Sequence, residues 1–365
     1  MKPYLYFSLA LVTYFVSEVA CYSTFVVTGA SGYLGREIVN TLLTDTNEDA
    51  QIRCLVRSNR VENEIQYWSK NFPESSHRIK VYEYDMLDGG ITLKNALKDR
   101  TTTEGDSDDI CVFHVASVFT PNENHKQMAL DNVKGTEDCI MAVSEACPNA
   151  RVILTSSMAA VRCSNQVPKN GKYYTHEDWN DGSKLGANWG ASYQWSKTFS
   201  EKRAWELSQE NNISFTSLNP SFIFGPPSLA QASDSFSIST VANWVFGRAP
   251  VQSRLCVDVR DVAKAHVLAS KEHKTIGERI IVSREARIPS VDMAEKIKQI
   301  AFETGIGDAS KVHADTVFDG GSMKIGEKEV DCEERMKYFL NGFSARSVEE
   351  TIADMTKVLL ELQQD

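Results

Sequence analysis

The run TFVVTG, Thr24 to Gly29, is apolar and β-branched with no polar alternate, and it stops at a glycine. That pattern predicts a strand buried on both faces. Further runs of the same kind are QIRCLVRS from Gln51, HRIKVYEYD from His77, DDICVFHVAS from Asp108, ARVILTSS from Ala150 and ISFTSL from Ile213. Between them the period changes to that of helices. Ile38, Leu42 and Leu43 share one face of Arg36–Asp45, Met128–Cys147 has apolar positions at three and four spacing, and Tyr193 to about Glu210 reads as a helix. Strand–helix alternation predicts an α/β fold, a Rossmann-type doubly wound parallel sheet with helices on both faces. From Asn219 the texture changes. Asn219–Ser235 reads as a long polar loop with prolines, followed by a helix at Val259–Glu272, a strand at Glu278–Ser283, and helices at Ser290–Gly305 and Val348–Leu362. No Gly/Ser-rich linker divides the chain. Residues 24–218 are therefore expected to form the nucleotide-binding domain, and residues 219–365 a smaller C-terminal substrate-binding lobe interleaved with it.

The first 23 residues have a different pattern. Lys2 precedes an apolar run from Tyr4 to Val16, and small residues follow near Ala20 and Ser23. This is the layout of a secretory signal peptide, or of a signal anchor if it stays uncleaved. It predicts entry into the secretory pathway, with the endoplasmic reticulum as destination, and a cytoplasmic protein if the segment does not act as a signal. The chain closes on ELQQD, without a retention signal. Acids outnumber Lys and Arg by 49 to 39, giving a net charge of −10. That balance argues against a nucleic-acid surface and favours a small-molecule partner. The eight Cys form no C-x-x-C pair and no zinc spacing, so no metal is expected.

Candidate chemistry begins at VVTGASGYLGREI. Gly29, Gly32 and Gly35 follow a strand and open a helix, the context that a dinucleotide-phosphate loop requires. Glycines permit the tight turn, and the helix N-terminus offers free N–H groups to a pyrophosphate. The second strand ends without an acid to hold a ribose 2′-hydroxyl. Arg57 stands just past it and Arg60 close behind, favouring NADP(H) over NAD. Asp85, closing the third strand, is placed to meet the adenine amino group. Tyr193 and Lys197 are four residues apart on one helical face, where an ammonium favours ionisation of a phenol.

TGASGYLG, VFHVAS, VILTSSMAAV, YQWSK, LNPSFIFGPP and VDVRDVAKAH occur in the order seen in extended short-chain dehydrogenases/reductases. The chain from Thr24 to the last helix resembles their branch of dihydroflavonol reductases, cinnamoyl-CoA reductases and fungal methylglyoxal reductases. It departs from that pattern around Val330–Phe343, where an Asn-Ser-Lys motif is not kept. The resemblance implies hydride transfer between NADP(H) and a small-molecule carbonyl or alcohol. Tyr193 would donate the proton, Ser157 would polarise the carbonyl, and Lys197 would lower the Tyr193 pKa and hold the nicotinamide ribose. Ser156 is the serine one register away. Implied cofactor contacts are Gly29, Ser31, Gly32, Tyr33, Leu34, Gly35, Arg57, Asp85, Met86, Val115, Ala116, Ser117, Pro220 and Ser221, with Tyr193 and Lys197. Phe119, Thr120 and Phe222 are the implied substrate pocket, and the insertion 165–191 is placed to cover it. His114 reads as a packed strand residue. Competing readings are a catalytically idle NADP-binding redox sensor and an NAD-dependent hydroxysteroid dehydrogenase or sugar-nucleotide epimerase. The chain would act as a monomer or homodimer.

Overall fold

A computed structural model describes residues 22–99, 109–119, 124–164, 166–228, 235–315 and 325–363. The leader through Cys21 and the pocket candidate Thr120 lie outside the described residues. Six strands come first: β1 (Thr24–Thr28), β2 (Gln51–Val56), β3 (Ile79–Glu83), β4 (Ile110–His114), β5 (Arg151–Thr155) and β6 (Ser214–Pro220). After β7 (Phe222–Phe224) and β8 (Cys256–Asp258), β9 (Arg279–Val282) returns to them. Seven strands pair in parallel in the order β3-β2-β1-β4-β5-β6-β9, while β7 and β8 form a separate parallel pair. The chain thus reverses direction across the sheet between β1 and β4. That switch point opens a crevice at the carboxyl ends of the strands.

Successive residues of one strand feed two cores, because side chains alternate across a sheet. Phe25 and Val27 pack on one face with α1 (Tyr33–Asp45), α2 (Val61–Asn71) and, from far along the chain, α7 (Val259–Lys271). Val26 packs on the other with α3 (Ile91–Lys98), α4 (His125–Ala146) and α5 (Trp189–Glu210). A third core joins β7 to α6 (Phe236–Val245), α8 (Ser290–Thr304) and α10 (Val348–Glu361), while α9 (Glu333–Phe339) packs Met336 and Phe339 into the first core. The C-terminal part is therefore no separate body, since it supplies both α7 and the edge strand β9.

Four helices were not legible in the residue pattern: α2, α3, α6 and α9. Two of them, α3 with 8 residues and α9 with 7, are too short to show a period. The segment Asn219–Ser235, expected as one polar loop, begins with the end of β6 and contains β7. Helix α5 starts at Trp189 rather than Tyr193, because the Asn188 side chain caps it by accepting from the Ala191 N–H at 2.8 Å. Among the described residues no helix is long and apolar enough to cross a membrane. Nor do three or more His, Cys, Asp or Glu gather there as a metal site.

Glu201 on α5 ties these layers together. Its carboxylate is buried and accepts from Ser156 of the segment after β5 (2.6 Å), from Ser217 and Asn219 of β6 (2.7 Å each), and from Arg279 Nε of β9 (2.7 Å). Burial alone would raise the Glu201 carboxyl. The Arg279 charge and the hydroxyl donors outweigh it and hold the group below the ordinary carboxylate value. Arg279 also donates to the backbone carbonyls of Ala160, His176 and Asp178, and it stacks 3.8 Å over the Trp179 ring. Removing one member of a buried pair leaves the other charge uncompensated. Glu201→Ala should therefore destabilise the fold by about 3–5 kcal/mol in urea denaturation. A loss within the ordinary ~0.5 kcal/mol of a surface change would show the pair to be dispensable. Because its folded pKa is depressed, this contribution is present above the unfolded carboxylate value of about pH 4.3 and fades as pH falls below it.

Candidate active site

A cleft of about 1320 Å³ follows the carboxyl ends of the strands. Its floor is the turn between β1 and α1. Gly29 has φ +70°, and a Cβ there would come within 3.0 Å of Ala116 Cα. A Cβ on Gly35 would lie 2.2 Å from the Gly29 carbonyl oxygen, so no side chain fits without moving backbone. Gly32 donates to that same oxygen at 2.9 Å and forms the N-cap of α1. The first turn of α1 therefore presents its N–H groups along the cleft, which Gly29, Ser31, Gly32, Tyr33, Leu34 and Gly35 all line. This cradle fits a dinucleotide pyrophosphate. The Tyr33 hydroxyl donates to the Gly225 carbonyl at 2.6 Å, which fastens the turn to the loop after β7.

At one end of the cleft Arg57 is exposed just past β2, beside Ser58, Asn59 and Arg60. Asp85 lines the same end, with Oδ1 accepting from the Leu87 N–H at 2.9 Å in a tight turn. Met86 follows it, and its side chain packs on α4 at Gly135, where a Cβ would lie 2.2 Å from Met86 Cγ. Arg36, also on the lining, is committed elsewhere: it pairs with buried Glu64 and stacks 4.0 Å over Tyr67. In the middle, Thr28 Oγ1 accepts from the N–H groups of Val115 (3.1 Å) and Ala116 (3.2 Å) and bonds His114 Nδ1 at 3.0 Å. Burial, helped by the Lys197 charge, pushes His114 down to about 3 and keeps it neutral. Ser117 donates to Asn132 at 3.2 Å. Pro220 ends β6, Ser221 donates its N–H to Val282 at 3.2 Å, and both face the cleft.

Ser157, Tyr193 and Lys197 meet on the cleft wall beyond this point. Ser157 follows β5 and accepts from the Ala159 N–H at 3.1 Å, and its hydroxyl lies near enough to the Tyr193 phenol to pull the phenol's pKa down. Ser156 turns the other way, into Glu201. Lys197 is buried, with Nζ donating to the Thr155 carbonyl at 3.4 Å. Burial lowers it to about 8 against the pull of Glu201 one turn further along α5. The sequence expectation that Lys197 lowers the Tyr193 pKa is corrected here. Burial raises the phenol to about 12, and the Ser157 hydroxyl offsets only part of that rise. A phenol held protonated beside a hydroxyl is equipped to donate a proton.

Aromatic rings close over the phenol. Phe119 lies 4.2 Å from Tyr193 and 5.1 Å from Trp189, and Phe236 lies 5.0 Å from Phe119. Of the insertion, Tyr174 and Trp179 pack into the protein, while Trp189 joins this ring cluster. Phe236, Gln194, Arg162, Arg254 and Arg287 also line the cleft, and sequence reasoning did not find them. They come from separate segments, with no motif linking them.

The doubly wound sheet with its glycine cradle defines a Rossmann-type dinucleotide-binding protein, and its relatives are those of the extended short-chain dehydrogenases/reductases. Residues 27–257 match the NAD-binding family described as Male sterility protein, and the chain belongs to that family. It is 30% identical over 274 residues to a cinnamoyl-CoA reductase of Medicago truncatula, covering 73% of this chain and 77% of that protein. It is 27% identical to the NADPH-dependent methylglyoxal reductase of Saccharomyces cerevisiae, covering 92% of this chain and 98% of that protein. In fold it is similar to the crystal structure of yeast methylglyoxal/isovaleraldehyde reductase complexed with NADPH. The TM-score is 0.76 at 24% identity, covering 93% of this chain and 99% of that one.

The clash at Gly35 sets a test of the cradle. Gly35→Ala should weaken dinucleotide binding by at least ~10-fold, since N–H groups moved off a phosphate lose charge-assisted hydrogen bonds. Titration followed by nicotinamide or tryptophan fluorescence reads this, and unchanged affinity would show that the turn relaxes freely.

Proposed function

We propose that the protein is an NADP(H)-dependent reductase of aldehydes or ketones, or oxidises the corresponding alcohols. The observation that carries this reading is the meeting of the Ser157 hydroxyl, the Tyr193 phenol and the Lys197 ammonium at the cleft that the glycine cradle opens. NADPH is the cofactor named for the methylglyoxal reductase relative, and the cradle with Arg57 fits it. When bound, it supplies a hydride. The side chains of this chain do the rest. Arg57, beyond β2, meets the adenosine 2′-phosphate with its planar fork. Pro220 and Ser221 flank the nicotinamide end, and Lys197 holds the ribose hydroxyls there. Ser157 donates a hydrogen bond to the carbonyl oxygen and polarises it. Tyr193, kept protonated by burial, gives its proton to the same oxygen as negative charge develops on it. Phe119, Trp189 and Phe236 exclude water from that point, which strengthens each of these interactions.

Two measurements test the reading. Tyr193→Phe removes one hydroxyl and leaves the ring packing. NADPH should still bind, while aldehyde reduction falls by at least ~100-fold. Near-normal turnover in that variant would mean that the proton comes from another group. The second concerns the cofactor. Rates with NADPH should far exceed those with NADH, and Arg57→Ala should shrink the preference, since a charge-assisted phosphate contact contributes about 1.5–3 kcal/mol. Equal use of both cofactors by the unmutated protein would remove Arg57 from the role.

A further inference from the structure

The cleft extends past Phe222 into a part lined by three guanidinium groups: Arg162, Arg254 and Arg287. They arrive from different places. Arg162 follows the turn after β5. Arg254 precedes β8 and forms an isolated antiparallel bridge with Ile288, which sets Arg287 beside it. One carboxylate meets the group. Glu329 forms ion pairs with Arg162 at 2.9 Å and with Arg287 at 2.8 Å, and only the Arg287 pair is also a hydrogen bond. Arg254 has no ion pair among the described residues. It donates to Gln252 and lies 5.5 Å over the Phe222 ring. Its Nε is buried with no hydrogen-bond partner among the described residues, as is that of Arg162. Burial and the neighbouring Arg287 charge both weaken its hold on its proton.

A partly buried cation with an orphaned N–H and no ion-pair partner among the described residues is costly in isolation. The cost is offset when a ligand brings the missing anion. A guanidinium fork matches an oxyanion with two oxygens in a plane or on a tetrahedron, a carboxylate or a phosphate. Tyr193, where the carbonyl must lie, and Arg254 line one continuous cleft. The Phe119–Phe236 ring cluster lies against the phenol, apolar surface for the body of a molecule.

We propose that Arg254 is a specificity-determining residue that binds an anionic group, carboxylate or phosphate, on the carbonyl substrate, with Arg162 and Arg287 completing a cationic end of the cleft. This deepens the reductase reading and rests on it. The substrate class is then an aldehyde or ketone with an acid group away from the reacting carbon.

Matched substrate pairs test this with the full-length protein and NADPH: benzaldehyde against 4-carboxybenzaldehyde, and glyceraldehyde against glyceraldehyde 3-phosphate. The anionic member of at least one pair should have a kcat/KM higher by ~10-fold or more, mostly through KM. Which pair responds tells carboxylate from phosphate. Arg254→Gln should collapse the ratio within that pair, and Arg254→Lys should keep part of it. Equal kcat/KM within both pairs in the unmutated protein overturns the proposal. So does an Arg254→Gln variant that loses activity equally on both members. Calorimetric binding of benzoate and phenyl phosphate to the NADP⁺-saturated protein gives a readout free of turnover. At least one should bind, and ~10-fold more weakly to Arg254→Gln. No reduction of any aldehyde, together with Arg254-dependent anion binding, would support the anion site and sink the reductase reading.

Discussion

The buried Glu201–Arg279 pair is the constraint on which the site depends. Tyr193, Lys197 and Glu201 recur every four residues on α5 and so share one face of that helix. Fixing the rotation of the helix at Glu201 therefore fixes the direction of the phenol and the ammonium two turns and one turn earlier. The fixing is done by β5, β6 and β9 together, through Ser156, Ser217, Asn219 and Arg279. A carboxylate taken out of water is stable only when its lone pairs are filled, and here these four side chains fill them together with Trp205, whose indole N–H donates at 3.5 Å. The same guanidinium holds the carbonyls of Ala160, His176 and Asp178, so the insertion 165–191 is anchored to the same point.

Two ionisable groups on that face are pushed in opposite directions by one cause. Burial disfavours charge on either, raising the phenol to about 12 and lowering the ammonium to about 8. The phenol is held in its donor state. The ammonium is kept near the edge of deprotonation, with Glu201 supporting its charge. His114, equally buried, is neutral and serves to shape the strand end through Thr28. Its role is that of a packed residue, in keeping with its place inside an apolar run.

The inner strands were legible because they are mostly apolar runs with both faces buried, whereas the edge strand β3 carries Lys80 and Glu83 and is only half-buried. The glycine turn was legible because three constraints coincide there: a strand before it, a helix after it, and backbone too close for a Cβ at Gly35. Helices such as α3 and α9 were not, since two turns carry no measurable period. Ser157 could not be told from Ser156 by sequence, because adjacent residues differ only in the face they take. The structure separates them, one toward Tyr193 and one toward Glu201. Glu201 did carry a signal that went unread: an acid four residues after Lys197 on the same face. The arginines of the far end carried none, since residues 162, 254 and 287 converge only through the pairing of late segments.

The return of the chain to its first sheet has a consequence for how such proteins can diversify. The lobe after Asn219 contributes α7 to the packing of α1 and β9 to the sheet edge, and β9 brings Arg279. Grafting that lobe from one relative onto another would also replace the partner of Glu201 and half the wall behind the cofactor turn. New substrate ranges are thus more readily acquired one side chain at a time on the cleft lining than by shuffling whole segments, and inheritance acts on the chain as a single unit.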